Sequence, residues 1–144
     1  FWHLRMEGLN EYEETALLVA TLRRDWKEAL PPEVLSDLCV RLARVGADSR
    51  AAAKKSSMAF ENASVAVSHR VLRRVRDILC SVLLGEAVKM NDPIRSAVRL
   101  AFSEALGAVE REAVETLFVT TLGNFIDEAR KRVNRRDVEP PAFA

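Results

Sequence analysis

Apolar residues at helical spacing, interrupted by proline and glycine, limit what this chain can fold into more than any other feature. The interruptions fall at Pro31-Pro32, Gly46 and Asp92-Pro93. Between them apolar side chains recur every three or four residues, the period that gives a helix one face to bury. No stretch alternates in the way a half-buried strand requires. The fold class is therefore all-α.

The punctuation predicts about six helices. The first runs from about Asn10 to Glu28, with Asn10 as N-cap and Glu11, Glu13 and Glu14 at the positive end of its dipole. Leu18, Leu22 and Trp26 form its stripe. Pro31-Pro32 ends it and opens a second, whose Val34, Leu35, Leu38, Cys39 and Leu42 lead to a stop at Gly46. A third, Asp48 to Phe60, is alanine-rich and has little to bury. The fourth, about Ser64 to Lys89, is the strongest. Its rows Val71, Val75, Ile78, Val82 and Leu72, Leu79, Leu83 cover more than one stripe, so it faces more than one neighbour. Arg70 and Arg74 trace its wet side, while Arg73 and Arg76 border the apolar side, where stems pack and charged heads reach water.

Asp92 caps and Pro93 opens a fifth helix through Ile94, Val98, Ala101, Phe102, Ala105 and Leu106, ended by Gly107. The sixth spans Ala108 to Val133, with Val114, Leu117, Phe118, Leu122, Phe125, Ile126 and Ala129 on its apolar face. Residues 1–133 form a single helical domain, and 134–144, with Pro140-Pro141, an extended or disordered tail. Short connections make helices one and two, four and five, and five and six antiparallel neighbours, in a bundle or a stack of helical hairpins.

Composition excludes several function classes. A net charge of +1 supplies no overall field to draw the chain to nucleic acid or acidic lipid. The most apolar run, Ile78 to Leu84, is short and broken by Ser81, so it spans no membrane. Residue 1 is Phe rather than Met, which leaves room upstream for a signal, a transit peptide or a membrane anchor. Cys39 and Cys80 stand among apolar residues and are expected as two buried thiols.

Catalytic groupings are missing as well. His69 follows Ser68, but adjacent helical positions point apart and make no nucleophile–base pair. Its neighbours at helical spacing, Val65, Leu72 and Arg73, hold no metal, and the five glycines form no phosphate loop. Glu112 and Glu115 are paired on what should be a solvated face. No enzyme activity, metal or cofactor is expected.

Two surfaces stand out as candidates. Thr116, Thr120, Gly123 and Asp127 line one side of the last helix with mostly small groups, which lets a partner's backbone approach closely. Arg130, Lys131, Arg132, Arg135 and Arg136 make a basic segment able to hold phosphates, diluted by Asp127, Glu128 and Asp137. No aromatics interleave with these arginines for base stacking. Trp2, Leu4 and Phe143, near the termini, are large apolar groups that need somewhere to dock.

Two resemblances add to this. Gly8, Ala20 and Pro32 fall at the Gly, Ala and Pro offsets of a tetratricopeptide-type repeat, while Tyr12 is one place late and Arg24 stands where Phe belongs. The Arg-, Ala- and Val-rich style of Arg70-Val71-Leu72-Arg73-Arg74-Val75-Arg76 is similar to kinetoplastid proteins. With its all-helical make-up, the chain resembles the trypanosomatid mitochondrial membrane-anchored MIX family. That resemblance implies repeat-like helical hairpins, an anchor upstream, self-association and contacts with respiratory-chain components. The function expected is a protein–protein interaction module that binds another protein and itself as a homodimer. The alternative is a nucleic-acid-binding bundle using the basic segment.

Overall fold

The computed structural model describes residues 10–55, 67–85, 92–102 and 107–138, the side chains of 52–55 and 134–138 excepted. All its regular elements are helices: α1 (Glu11–Ala20), α2 (Arg24–Ala29), α3 (Pro32–Lys55), α4 (His69–Leu83), α5 (Pro93–Ala101), α6 (Ala108–Leu122) and α7 (Phe125–Val138). Sequential neighbours pack as expected, α1 on α3, α4 on α5 and α5 on α6. Helix α3 also meets α4, α6 and α7, and α4 meets α7, so α3 is the central member. One continuous apolar cluster results, from Leu18 and Leu22 through Leu38, Leu42, Leu72 and Leu79 to Phe118 and Phe125.

Local chemistry explains most helix starts. Asn10 and Glu13 form a reciprocal capping box at α1, Asn10 Oδ1 accepting from Glu13 N at 2.7 Å. Ser68 caps α4 and Asp92 caps α5, with Pro93 in the first turn, where its missing N–H has no intrahelical duty.

The helix ends depart from the sequence expectations in several places. The fifth expected helix, drawn through Phe102 to Leu106, ends at Ala101, with Phe102 extended and Arg74 on the Ala101 carbonyl. The first expected helix is two, broken at Thr21, where Leu22 N bonds back to Val19 O and Arg76 takes the freed carbonyls. Gly46 does not end a helix: α3 runs straight through it. A Cβ there would lie 2.3 Å from Glu14 Oε1, so the glycine serves the close approach of α1. The expected fourth helix is shorter at both ends: it starts at His69, after the non-helical Val67 and Ser68, and it stops at Leu83, because Gly85 adopts φ +75°, a backbone region that favours glycine. The expected sixth helix is also two, divided at Gly123 with φ +52°. Its second half, α7, continues to Val138, so the first residues of the expected tail are helical. The expected ends at Phe60, Ser64 and Lys89 lie outside the described residues.

Three of these helix ends share a device. Arginines from the two central helices donate to the last carbonyls of other helices: Arg76 to Leu18 O and Thr21 O of α1, Arg74 to Ala101 O of α5, and Arg41 to Leu122 O of α6. Helices α1 and α6 have no basic residue in their own last turn. A cation from elsewhere therefore meets the negative end of the dipole and a carbonyl with no intrahelical donor.

Candidate partner-binding face

Helix α1 buries little of itself. Within Glu11–Ala20 only Glu14 and Leu18 are buried. The opposite side carries a second apolar row, Tyr12, Ala16, Val19 and Ala20, at spacings of four, three and one. On α3 the outward positions Pro32, Ser36, Val40 and Arg44 follow at four-residue steps. Between the two rows lies an open groove of about 570 Å3, lined by Glu11, Tyr12, Thr15, Ala16, Val19, Ala20 and Val40. Tyr12 is 84% exposed and Val40 47%, unusual for large apolar groups on adjoining helices.

Two further concavities extend this groove. One shares Val19 and adds Leu22, Lys27, Pro32, Leu35 and Ser36. The other shares Glu11 and Val40 and adds Arg41, Arg44, Asp48 and Thr121. From Pro32 to Asp48 the trough is about 24 Å long at ~1.5 Å per residue, four turns of a helix. Its floor is small or apolar, and charged groups stand at its ends, the Arg44–Glu11 ion pair at 3.3 Å among them.

The expected small-residue stripe does not lie on one helix. Thr116, Thr120, Gly123 and Asp127 are all exposed, but the break at Gly123 leaves the threonines on α6 and Asp127 on α7. An unbroken helix was the premise that aligned them. In the basic segment Arg130, Lys131 and Arg132 are exposed, and Lys131 lies 3.5 Å from Glu128. Arg135 and Arg136 continue α7, and their side chains lie outside the described residues, as do Trp2, Leu4 and Phe143 entirely.

Three buried polar groups escaped the sequence expectations. Arg76 does not reach water: it is 1% exposed and donates to Leu18 O, to Thr21 Oγ1 and O, and to Asp77 at 2.7 Å. Glu115, expected on a solvated face, is 1% exposed because Arg95 and Arg99 lie across its carboxylate, at 3.1 and 3.0 Å. The Arg99 hydrogen bond, ahead of the cost of burial, holds that carboxyl below its ordinary range. Glu14 accepts from Arg50 at 3.1 Å and sits 3.4 Å from His69 Nδ1. That contact is within ion-pair range but misaligned for a hydrogen bond, and Nδ1 is buried without such a partner. Burial pushes the His69 imidazole below its usual pKa, against the opposing pull of Glu14.

None of these groups adjoins an activated nucleophile. Ser68 Oγ caps α4, and Ser49 Oγ donates to Gly46 O. Cys39 and Cys80 are free and buried, with burial pushing their thiols up to about 11 and about 12. Among the described residues no group of three His, Cys, Asp or Glu side chains could hold a metal ion, and no helix is long and apolar enough to cross a membrane. Compared with known proteins, the chain matches no family model, no curated protein and no solved structure.

Proposed function

We propose that this chain is a non-enzymatic protein–protein interaction module that seats a partner's amphipathic helix in the trough between α1 and α3. The observation that carries this reading is the exposed apolar groove around Tyr12, Ala16, Val19 and Val40. Its length suits about four helical turns. Small floor residues such as Ala16 and Ala20 allow the close backbone approach that helix-in-groove recognition uses, with anchors on the partner at i, i+3, i+4 and i+7. Helices α3 and α4 are the rigid frame behind it.

The same face suits a second copy of the chain, since two-fold pairing puts one patch against itself. On the resemblance to the MIX family, the module belongs to a mitochondrial membrane-anchored adaptor whose helical hairpins are divergent tetratricopeptide-like repeats. It self-associates and contacts respiratory-chain subunits. Light scattering over a concentration series, with cross-linking to a captured partner, tests the module. Tyr12→Glu combined with Val40→Glu is expected to abolish self-association and partner capture while leaving the helical spectrum intact. Association unaffected by this pair of changes overturns the groove as the docking face.

Exposure of Arg130, Lys131 and Arg132 favours one second reading, a nucleic-acid-binding bundle. It requires steeply salt-dependent binding that is lost when Arg130, Lys131, Arg132, Arg135 and Arg136 become Ala. No binding to DNA or RNA at low salt ends it.

A further inference from the structure

The trough between α1 and α3 is apolar along its middle and charged at its ends. Tyr12, Ala16, Val19, Ala20 and Val40 line the middle. Burial of apolar surface has no direction, so such a floor holds a stripe without fixing where it stops. Register comes from charged groups at the rim. Five charged side chains line the trough, and three of them are engaged. Glu11 and Arg44 pair at 3.3 Å, while Arg41 binds Asp37 at 3.1 Å and donates to Leu122 O. Lys27 and Asp48 are the other two. Both are exposed, and neither has an ion-pair partner among the described residues. Lys27 stands at the end lined by Pro32, Leu35 and Ser36. Asp48 stands at the opposite end, about 24 Å along α3 from Pro32.

We propose that the occupant of the trough is a partner helix with opposite charges at the two ends of its apolar stripe. An acidic side chain meets Lys27, and a basic one about four turns away meets Asp48. On the reading of the trough as a docking face, these two charges set which helix it accepts and where that helix stops. Residues three and four apart share one side of a helix, so a single stripe can carry the apolar anchors with both end charges in line.

The match also excludes. A helix with like charges at both ends meets one attraction and one repulsion in either direction, whereas a helix with unlike ends has a direction that satisfies both. Each end is an exposed pair, which moves an affinity by up to about fivefold, and exchanging an attraction for a repulsion moves it by about five- to tenfold. A second copy of the chain, turned about a two-fold axis, also sets a lysine end against an aspartate end. Two concave faces pressed together, however, leave the apolar floor of each unfilled, and a convex helix fills it.

The test is selection of a displayed library of amphipathic helices, each about five turns long, on the whole chain. Leu and Ala are fixed along the apolar stripe, and Lys, Glu or Gln is allowed at each end. The wild-type chain should enrich helices with one Glu end and one Lys end about five- to tenfold over those with like ends. Lys27→Glu should move the preference to Lys at both ends, and Asp48→Lys to Glu at both ends. Tyr12→Glu combined with Val40→Glu should remove the enrichment. Helices enriched through Tyr12 and Val40 without a charge preference, or with one that neither Lys27→Glu nor Asp48→Lys alters, overturn the charge pattern and leave the docking face standing. Enrichment that survives the Tyr12 and Val40 changes overturns both. No enrichment also overturns the proposal. Light scattering then separates its causes: a dimer that Tyr12→Glu with Val40→Glu dissolves has a second copy in the trough, and a chain monomeric throughout loses the docking reading as well.

Discussion

Replacing Arg76 by Met tests whether one buried guanidinium closes the end of α1. Methionine keeps most of the volume of the arginine stem, so the change isolates the polar contacts from packing. The carbonyl of Leu18 has lost its regular helical donor, because Leu22 N bonds to Val19 O instead, at 3.3 Å. Arg76 Nη1 supplies the replacement at 2.6 Å, and Nη2 reaches Thr21 O at 3.2 Å. Of the other oxygens near Arg76, the Thr21 hydroxyl keeps its bond to Leu17 O, and the Asp77 carboxylate is about half exposed and can turn to water. Orphaning the buried Leu18 carbonyl costs about 1–3 kcal/mol, and the partly buried Thr21 carbonyl adds to it at the low end of that range. Some relief comes from no longer burying a cation, and a loss of about 3 kcal/mol is expected. That is a large part of the ~5–15 kcal/mol that holds a typical domain together. Urea unfolding at 25 °C, read by circular dichroism, measures it as a lower midpoint at unchanged slope. Arg76→Lys should lose about half as much, since an ammonium lacks the planar fork that serves several acceptors at once. An Arg76→Met protein within about 1 kcal/mol of wild type would refute the reasoning.

Three further predictions follow from the same geometry. Gly46→Ala should destabilise the chain by about 1–3 kcal/mol in urea, despite the ~1 kcal/mol that alanine gains over glycine inside a helix, because its Cβ collides with the Glu14 carboxylate. A gain in stability would show that α1 yields easily. Arg99 and Arg95 depress the Glu115 pKa below the ordinary 4.5, so this carboxylate contributes stability above that pH and loses it as pH falls through the folded value. With Arg99 61% exposed the contribution is about 1 kcal/mol or less, and Glu115→Gln should flatten the acid limb of the stability curve by that amount. Cys39 and Cys80 should resist alkylation at pH 8 until urea unfolds the chain, and rapid labelling in native buffer would contradict their burial.

The apolar interior of this protein and most of its helix starts were legible in its sequence, and the points where its helices stop were not. Leu18, Leu22 and Trp26, the row from Val34 to Leu42, and Phe118 with Leu122 are buried as their spacing predicts. Periodicity reports which side of a helix avoids water, and that is a local property. Ends are decided elsewhere. Gly46 looks like a stop until Glu14 from another helix is laid on it, whereas Gly85 and Gly123 take positive φ where the spacing ran on unbroken. With Gly123 dividing α6 from α7, the row from Thr116 to Asp127 is shared between two helices. The groove did leave a trace in the sequence: α1 carries apolar residues on two sides, Leu18 on one and Tyr12, Ala16 and Val19 on the other. A short helix with two apolar sides and one large neighbour has a side to spare.

Closing helix ends with arginines from other helices bears on how the chain reaches its fold. A helix that stops at its own capping residue can be finished alone, but α1 and α6 are finished only when α3 and α4 arrive. In the denatured ensemble their C-terminal turns, without those arginines, are expected to fray. Pairing of α3 with α4 comes first on this account, and the boundaries of α1, α5 and α6 are set as Arg76, Arg74 and Arg41 reach their carbonyls. Substitutions at those arginines should then speed unfolding while leaving the folding rate nearly unchanged. The corners of the molecule are fixed after its walls.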